Sequence, residues 1–148
     1  MKKFIFLGIT SLIFCQNVVA HEQLSLSISF VKFKQVAGTL HYQLLDCSDT
    51  SLPWSELPVL LTQQLAVTKQ VHQQTLNDLD TGRYCLRFFQ DLNKNNELDL
   101  AASAIPKEPV GFSNNPNLML GQPTPGDSVF ELTKNMDLTI KVNNKKRR

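Results

Sequence analysis

The sequence has 148 residues, with 15 Lys or Arg and 13 Asp or Glu, and its formal net charge is +2. The positive excess comes from Lys2 and Lys3, so the rest of the chain is formally neutral and gives no sign of a nucleic-acid partner. A chain of this length can bury a hydrophobic core and fold as a single domain.

Residues 1–20 have the pattern of a secretory signal peptide. Lys2 and Lys3 precede an apolar run over residues 4–14, and the small or moderate side chains at 18–20 provide a cleavage site. The apolar run is too short to span a bilayer, so we expect no transmembrane segment after cleavage. We therefore predict a periplasmic or extracellular protein.

Alternating apolar and polar side chains predict strands along most of residues 21–144, which we expect to form one domain. Residues 145–148 read as a solvated basic tail. The alternation is clearest at residues 24–30, 40–44, 84–88 and 138–142. Weaker strand patterns lie at residues 59–67, 71–76 and 129–132.

Two interruptions are predicted in this pattern. The alternation changes phase between Phe30 and Phe33, which indicates a β-bulge. Residues 54–61 have room for one helical turn. About seven short strands of this kind favour an all-β fold, an antiparallel β-sandwich of the immunoglobulin-like kind.

Two cysteines, Cys47 and Cys85, remain after the predicted signal peptide. An even pair in an oxidising compartment favours a disulfide, which would contribute roughly 3–4 kcal/mol through loop closure. The alternative is two separate thiols packed as small apolar groups. Both cysteines are out of phase with the core residues Leu44 and Leu86, so we expect them to lie off the main core face.

Oxygen-bearing side chains occur at every second position after the strand that ends near Phe89. They are Asp91, Asn93, Asn95, Glu97 and Asp99. Calcium takes six to eight oxygens at about 2.3–2.6 Å, and short side chains at alternate positions can point to one centre. The spacing therefore predicts a calcium loop, in which Leu98 would anchor the loop to the core.

The loop departs from a strong calcium site in three ways. Asn96 stands where Gly is usual, Ala102 stands where a bidentate carboxylate is usual, and Lys94 adds a positive charge. Glu97 or Glu108 would have to supply the carboxylate oxygen that Ala102 cannot provide. We expect a dissociation constant of about 10⁻⁴–10⁻³ M. The alternative is a turn-rich loop whose Asp and Asn side chains cap their own backbone.

The strings GRYCLRFFQDLNKNNELD, IPKEPVGFSNNP and GQPTPGDSVFEL resemble the bacterial family known as domain of unknown function 2141. The resemblance covers residues 82–142 and implies a secreted, transthyretin-like or carboxypeptidase-regulatory-like β-sandwich with no established activity. Gly is usual in the family where this chain has Asn96 and Ala104. The motif residues carried over are Asp91, Asn93, Asn95, Asp99, Pro106, Lys107, Glu108, Gly111, Phe112, Ser113 and Asn114.

The second of these strings reads as structural. Pro106 and a second proline three residues later would fix a turn that contains Lys107 and Glu108. The alternative is that the side chains of Lys107 and Glu108 face a ligand. We expect Phe112 to fill the core and Gly111 to allow a close approach of two backbones.

The leading functional prediction is a non-catalytic binding or structural module, with calcium as a cofactor and a protein or other cell-envelope component as partner. An enzyme is the alternative, although the sequence GFSNN lacks the Gly-x-Ser-x-Gly nucleophile elbow of serine hydrolases. A further alternative is copper binding by His21 as the mature N-terminus, with His41 or His72 adding a nitrogen.

Overall fold

The computed structural model describes residues 23–102 and 104–143, so the predicted signal peptide and basic tail lie outside the described residues. Within them the chain forms eight strands and one short helix. In chain order these are β1 (Leu24–Val31), β2 (Thr39–Asp46), β3 (Val59–Ala66), β4 (Val71–Leu79), β5 (Gly82–Asp91), β6 (Val110–Phe112), α1 (Pro125–Ser128), β7 (Phe130–Leu132) and β8 (Met136–Lys141). No helix in this part of the chain has the length and apolar character needed to cross a bilayer.

The strands form two sheets. The smaller sheet has the order β4–β1–β8, and the larger has the order β3–β2–β5–β6, with β7 also paired to β5. Every pair is antiparallel except β1 with β8, which run parallel. The predicted all-β sandwich is confirmed, with one parallel pair and with the short strand β6 as an addition.

The main core lies between the two sheets. Leu26, Ile28 and Phe30 of β1 have no exposed surface, because the serines between them turn to the opposite face. They pack against inward-facing residues of the larger sheet, and the Phe30 ring centroid lies 5.2 Å from that of Tyr42. Each large apolar side chain buried in this way contributes about 1.5–3 kcal/mol.

A second hydrophobic cluster covers the outer face of the larger sheet. Leu45, Cys47 and Cys85 belong to it, and Trp54 and Phe112 pack over them. Cys47 and Cys85 form a disulfide with a Cα–Cα distance of 5.6 Å. The predicted disulfide is confirmed, and so is its position off the main core face, because odd-numbered residues of β5 point outward.

Trp54 holds the segment that follows β2 onto this outer face. Its Nε1 donates a hydrogen bond to the Pro123 carbonyl at 2.6 Å. The Arg87 guanidinium lies 5.5 Å from the Trp54 ring centroid, and its Nε donates to Gln43 Oε1 at 2.9 Å. Burial against the indole lowers the pKa of Arg87.

The two predicted interruptions are resolved differently from expectation. No bulge occurs between Phe30 and Phe33: β1 ends at Val31, and Lys32 has a left-handed φ of 68° that turns Phe33 back into the core. The phase shift thus marks the end of a strand. The predicted helical turn is reduced to one hydrogen-bonded turn, from Glu56 N to Pro53 O at 2.9 Å.

The short strand β6 runs close against β5. Gly111 lies opposite Phe88, and a Cβ at position 111 would lie 2.2 Å from Cζ of Phe88. The predicted close approach at Gly111 is therefore confirmed. Phe112 faces the other way and is buried in the outer cluster, where its ring centroid lies 5.4 Å from that of Trp54. The prediction that it fills a hydrophobic core is confirmed, and the core that it fills is this second cluster.

Removing the disulfide tests how much it contributes to stability. Because the bond joins residues 38 apart in sequence, we expect the Cys47→Ala/Cys85→Ala variant to lose roughly 3–4 kcal/mol of unfolding free energy. Urea denaturation followed by circular dichroism measures the change. A loss below about 1 kcal/mol would contradict the loop-closure argument.

Substituting Gly111 tests the close approach of β6 to β5. In Gly111→Ala the new methyl must displace the buried Phe88 ring, at a cost of about 1–3 kcal/mol in unfolding free energy. Gly126→Ala is the matched control, because its Cβ would meet nothing nearer than 3.6 Å. Equal thermal midpoints for the two variants would show that β6 has room to shift.

Candidate functional site

The residues predicted to bind calcium form one loop at the end of β5, here called the oxygen-rich loop, residues 91–99. Asp91 has no exposed surface. Its Oδ1 accepts a hydrogen bond from Lys94 N at 2.6 Å, and its Oδ2 accepts one from Asn96 N at 2.9 Å. A buried carboxylate is costly without such donors, so the loop is folded back around Asp91.

This folding requires left-handed backbone at two positions. Lys94 and Asn96 both have φ of 63°. Asn adopts this conformation at little cost, which explains why Asn96 replaces the glycine usual at the sixth position of a calcium loop. Ala104, where glycine is also usual in the family that the sequence resembles, has φ of 56°.

The remaining side chains of the loop bond to the loop itself. Asn93 Oδ1 accepts from Asn95 N at 3.1 Å, and Asn95 Oδ1 accepts from Glu97 N at 3.0 Å. Asn93 Nδ2 also donates to Asp99 Oδ2 at 2.5 Å. The side chain of Glu97 is exposed. These bonds give the loop a defined shape, and they match the backbone-capping alternative that the sequence left open.

Glu108, in the Ile-Pro-Lys-Glu-Pro string, stabilises the oxygen-rich loop by accepting hydrogen bonds from its backbone. It is buried, and its Oε1 accepts from Leu92 N at 2.8 Å while its Oε2 accepts from Asp99 N at 3.4 Å. Lys107 N donates to the Asp99 carbonyl at 2.8 Å, and Pro106 forms a bridge with Leu100. The Pro-Lys-Glu-Pro turn therefore closes the loop by backbone pairing, and Glu108 faces the loop.

The donor chemistry of the loop suits a hard cation. Asp91, Asp99 and Glu108 supply carboxylates, and Asn93 and Asn95 supply amide oxygens, which is the ligand type that calcium prefers. A cation would compete with the hydrogen bonds these oxygens already accept. Among the described residues, no three Asp, Glu, His or Cys side chains gather into a metal-binding group, so the amides and backbone carbonyls would have to contribute.

Two residues that the sequence did not single out, Gln90 and Gly38, position the start of the loop. Fully buried Gln90 donates through Nε2 to the carbonyls of Gln35 at 2.8 Å and Ala37 at 2.7 Å. Gly38 has φ of +74°, and a Cβ there would lie 2.0 Å from the Asp91 carbonyl oxygen. The sequence signal was a polar Gln on the side of β5 that otherwise carries Tyr84, Leu86 and Phe88.

His41, which the sequence offered as a copper ligand, also lies beside the start of the loop. Its imidazole stacks on Phe89 with ring centroids 4.7 Å apart, and its Nε2 lies 3.7 Å from Asp91 Oδ2. His72, the other histidine considered as a copper ligand, accepts a hydrogen bond at Nε2 from Thr68 N at 3.2 Å. Burial lowers the pKa of its imidazole. His21, on which the copper prediction rests, lies outside the described residues.

The Gly-Phe-Ser-Asn-Asn string joins the two sheets. Ser113 has no exposed surface; its Oγ accepts from Leu86 N at 2.9 Å and donates to the Ser128 carbonyl. Asn114 donates through Nδ2 to the Val129 carbonyl at 2.6 Å. Asn115 binds β8 through both ends of its amide, accepting from Lys141 N at 2.7 Å and donating to the Thr139 carbonyl.

Two adjoining cavities lie beside this motif. One, of about 440 Å³, is lined by Lys32, Lys34 and Lys141 among others. The second, of about 450 Å³, is lined at its far side by Leu98, Leu100 and Ile105. Both have Phe112, Leu118 and Asn143 in their walls, so they adjoin at these residues, and the two cavities together are here called the groove.

The groove changes one sequence prediction. Leu98 was expected to anchor the oxygen-rich loop in the core, but its side chain is 36% exposed and lines the groove. Leu100 beside it is 49% exposed. The loop is held by the hydrogen bonds of Asp91 and Glu108 instead, which leaves its apolar side chains on the groove wall.

Removing the Glu108 carboxylate tests whether it braces the loop. Glu108→Ala should speed amide hydrogen exchange at Leu92 and Asp99 and lower the unfolding free energy by about 1.5–3 kcal/mol, because two backbone donors lose a charged acceptor. Glu97→Ala is the matched control, since Glu97 is exposed. Unchanged local exchange in Glu108→Ala would contradict the bracing role.

Comparison with known proteins gives one match, to a family model. No curated protein and no solved structure matches the chain. The model of one family, described as uncharacterized proteins conserved in bacteria, matches residues 28–141. This match runs from β1 to the end of β8 and includes the oxygen-rich loop and both motifs that follow it. The chain therefore belongs to the family of uncharacterized bacterial proteins known as domain of unknown function 2141.

Proposed function

We propose that this protein is a secreted, non-catalytic binding module in which calcium, held by the oxygen-rich loop, stiffens one wall of the groove. The partner would be a protein or another component of the cell envelope. The observation that carries the proposal is the buried Asp91 carboxylate, which already organises the backbone of the loop around the first position of the calcium spacing.

The arrangement of the other donors supports calcium. Asn93 lies within hydrogen-bond distance of Asp99, at 2.5 Å, so the third and ninth positions of the loop converge. Glu108 Oε2 accepts a hydrogen bond from Asp99 N at 3.4 Å, so a further carboxylate lies against the loop. Calcium would hold Asp91 and Asp99 together by charge, and it would draw on amide and carbonyl oxygens for its other ligands.

Calcium binding would affect the groove through the two leucines on either side of Asp99. Leu98 and Leu100 line the groove, while Asp99 between them bonds to Asn93 and to Glu108. A cation that fixed Asp99 would therefore fix both leucines. Calcium would act on partner binding by ordering this wall, and it would take no part in chemistry.

Export is supported by the cysteines. A disulfide such as Cys47–Cys85 forms and persists in oxidising compartments, including the bacterial periplasm and the extracellular space. The predicted signal peptide at residues 1–20 agrees with this location.

Calcium should stabilise the folded protein. With a dissociation constant of about 1 mM, about 10 mM calcium raises the unfolding free energy by about 1.4 kcal/mol. The thermal midpoint should rise by roughly 3–6 °C relative to the same sample in chelator. Differential scanning calorimetry measures this shift, with magnesium at equal concentration as the ionic-strength control.

Asp99→Asn should abolish the calcium-dependent part of the shift, because it removes a charge while keeping an oxygen for Asn93. Asp137→Asn, on the exposed face of β8, is the matched control and should respond like the unmodified protein. An unchanged midpoint in calcium, or an equal response of Asp99→Asn and the control, would remove calcium from the proposed function.

A further inference from the structure

The parallel pairing of β1 and β8 places positive charges from distant parts of the sequence at one edge of the protein. Val31 lies opposite Lys141 in this pair, so the residues that follow β1 reach the end of β8. Lys34 and Lys141 are both exposed, and together with Lys32 they line the first cavity of the groove. None of the described residues that line this cavity is acidic.

The floor of the same cavity is apolar. Phe112 and Leu118 line it, and both continue into the second cavity, whose far wall carries Leu98, Leu100 and Ile105. The groove therefore carries lysines at one end and mainly apolar side chains at the other. Glu108 also lines the second cavity, with its oxygens accepting hydrogen bonds from Leu92 N and Asp99 N. Each cavity has a volume within the range of about 300–1,000 Å³ that is typical of small-molecule sites.

We propose that the groove binds a free, single-chain anionic amphiphile, an alkyl phosphate or fatty acid, with its anionic group between Lys34 and Lys141 and its chain over Phe112 toward Leu100. Charge complementarity selects the head, because the ammonium groups face a cavity without carboxylates. Apolar burial selects the chain, because each buried methylene group contributes about 0.8 kcal/mol. This inference goes beyond the proposed calcium function and does not depend on it.

Dodecyl phosphate, below its micelle-forming concentration and in the presence of chelator, is the probe. The chelator keeps calcium out of the measurement, so a failure here leaves the proposed function untouched. Trp54 is the single tryptophan of the chain and its ring centroid lies 5.4 Å from that of Phe112, so its fluorescence reports occupancy of the groove floor. We expect saturable binding by the purified full chain, and isothermal titration calorimetry gives the same constant independently.

Charge reversal tests the cationic end. Lys34→Glu/Lys141→Glu should weaken dodecyl phosphate binding by roughly tenfold or more, since two attractive contacts become repulsive. Lys134→Glu is the matched control; it precedes β8, at the opposite end of that strand from Lys141. All variants keep residues 145–148, so any contribution of the basic tail cancels. Equal affinities for the double variant and the control would overturn the proposal.

Chain length tests the apolar end. Octyl phosphate should bind at least about tenfold more weakly than dodecyl phosphate, and Leu100→Asn should reduce this difference. Because Leu100 is 49% exposed, the substitution should leave the thermal midpoint unchanged. Inorganic phosphate binding as tightly as dodecyl phosphate would overturn the apolar half of the site. Binding only to vesicles of anionic phospholipid, with none to monomeric dodecyl phosphate, would overturn the proposal in favour of a membrane surface.

Discussion

The carboxylate of Asp91 ends the longest strand of the sandwich with a charged group that has no exposed surface. Two backbone donors, Lys94 N and Asn96 N, satisfy its oxygens, and these bonds bring both residues into left-handed backbone. Glu108 then closes the loop through Leu92 N. The loop is thus shaped by the need to bond one buried carboxylate, and the position of the groove wall follows from that shape.

The residues that carry the family resemblance perform mainly architectural work. Gly111 allows β6 to approach Phe88, Ser113 bonds to β5 and to the residue that ends α1, and Asn115 joins the larger sheet to β8. The lysines of the groove, by contrast, lie outside these motifs. Membership of the family therefore predicts the scaffold and the loop, while the ligand of the groove depends on side chains that the motifs do not include.

Much of the fold was predictable because half-buried strands alternate with a period of two. The same parity predicted that Cys47 and Cys85 lie off the main core face, and the structure confirms it. The pattern could not show which face Phe112 covers, since a strand of three residues is too short for alternation to be read. The bulge predicted after Phe30 is instead the end of the strand, where the left-handed residue Lys32 returns Phe33 to the core.

The sequence by itself determined the class of the fold and the spacing of the oxygen donors, because these depend on local alternation and on residues close in sequence. It favoured the disulfide by cysteine count, and the structure brings Cys47 and Cys85 together. Only the tertiary structure decided that Glu108 reaches Leu92, and that Lys34 and Lys141 line one cavity at the end of the parallel pair of β1 and β8. Contacts between residues far apart in sequence are selected by the pairing and packing of whole sheets, and no local pattern encodes that choice.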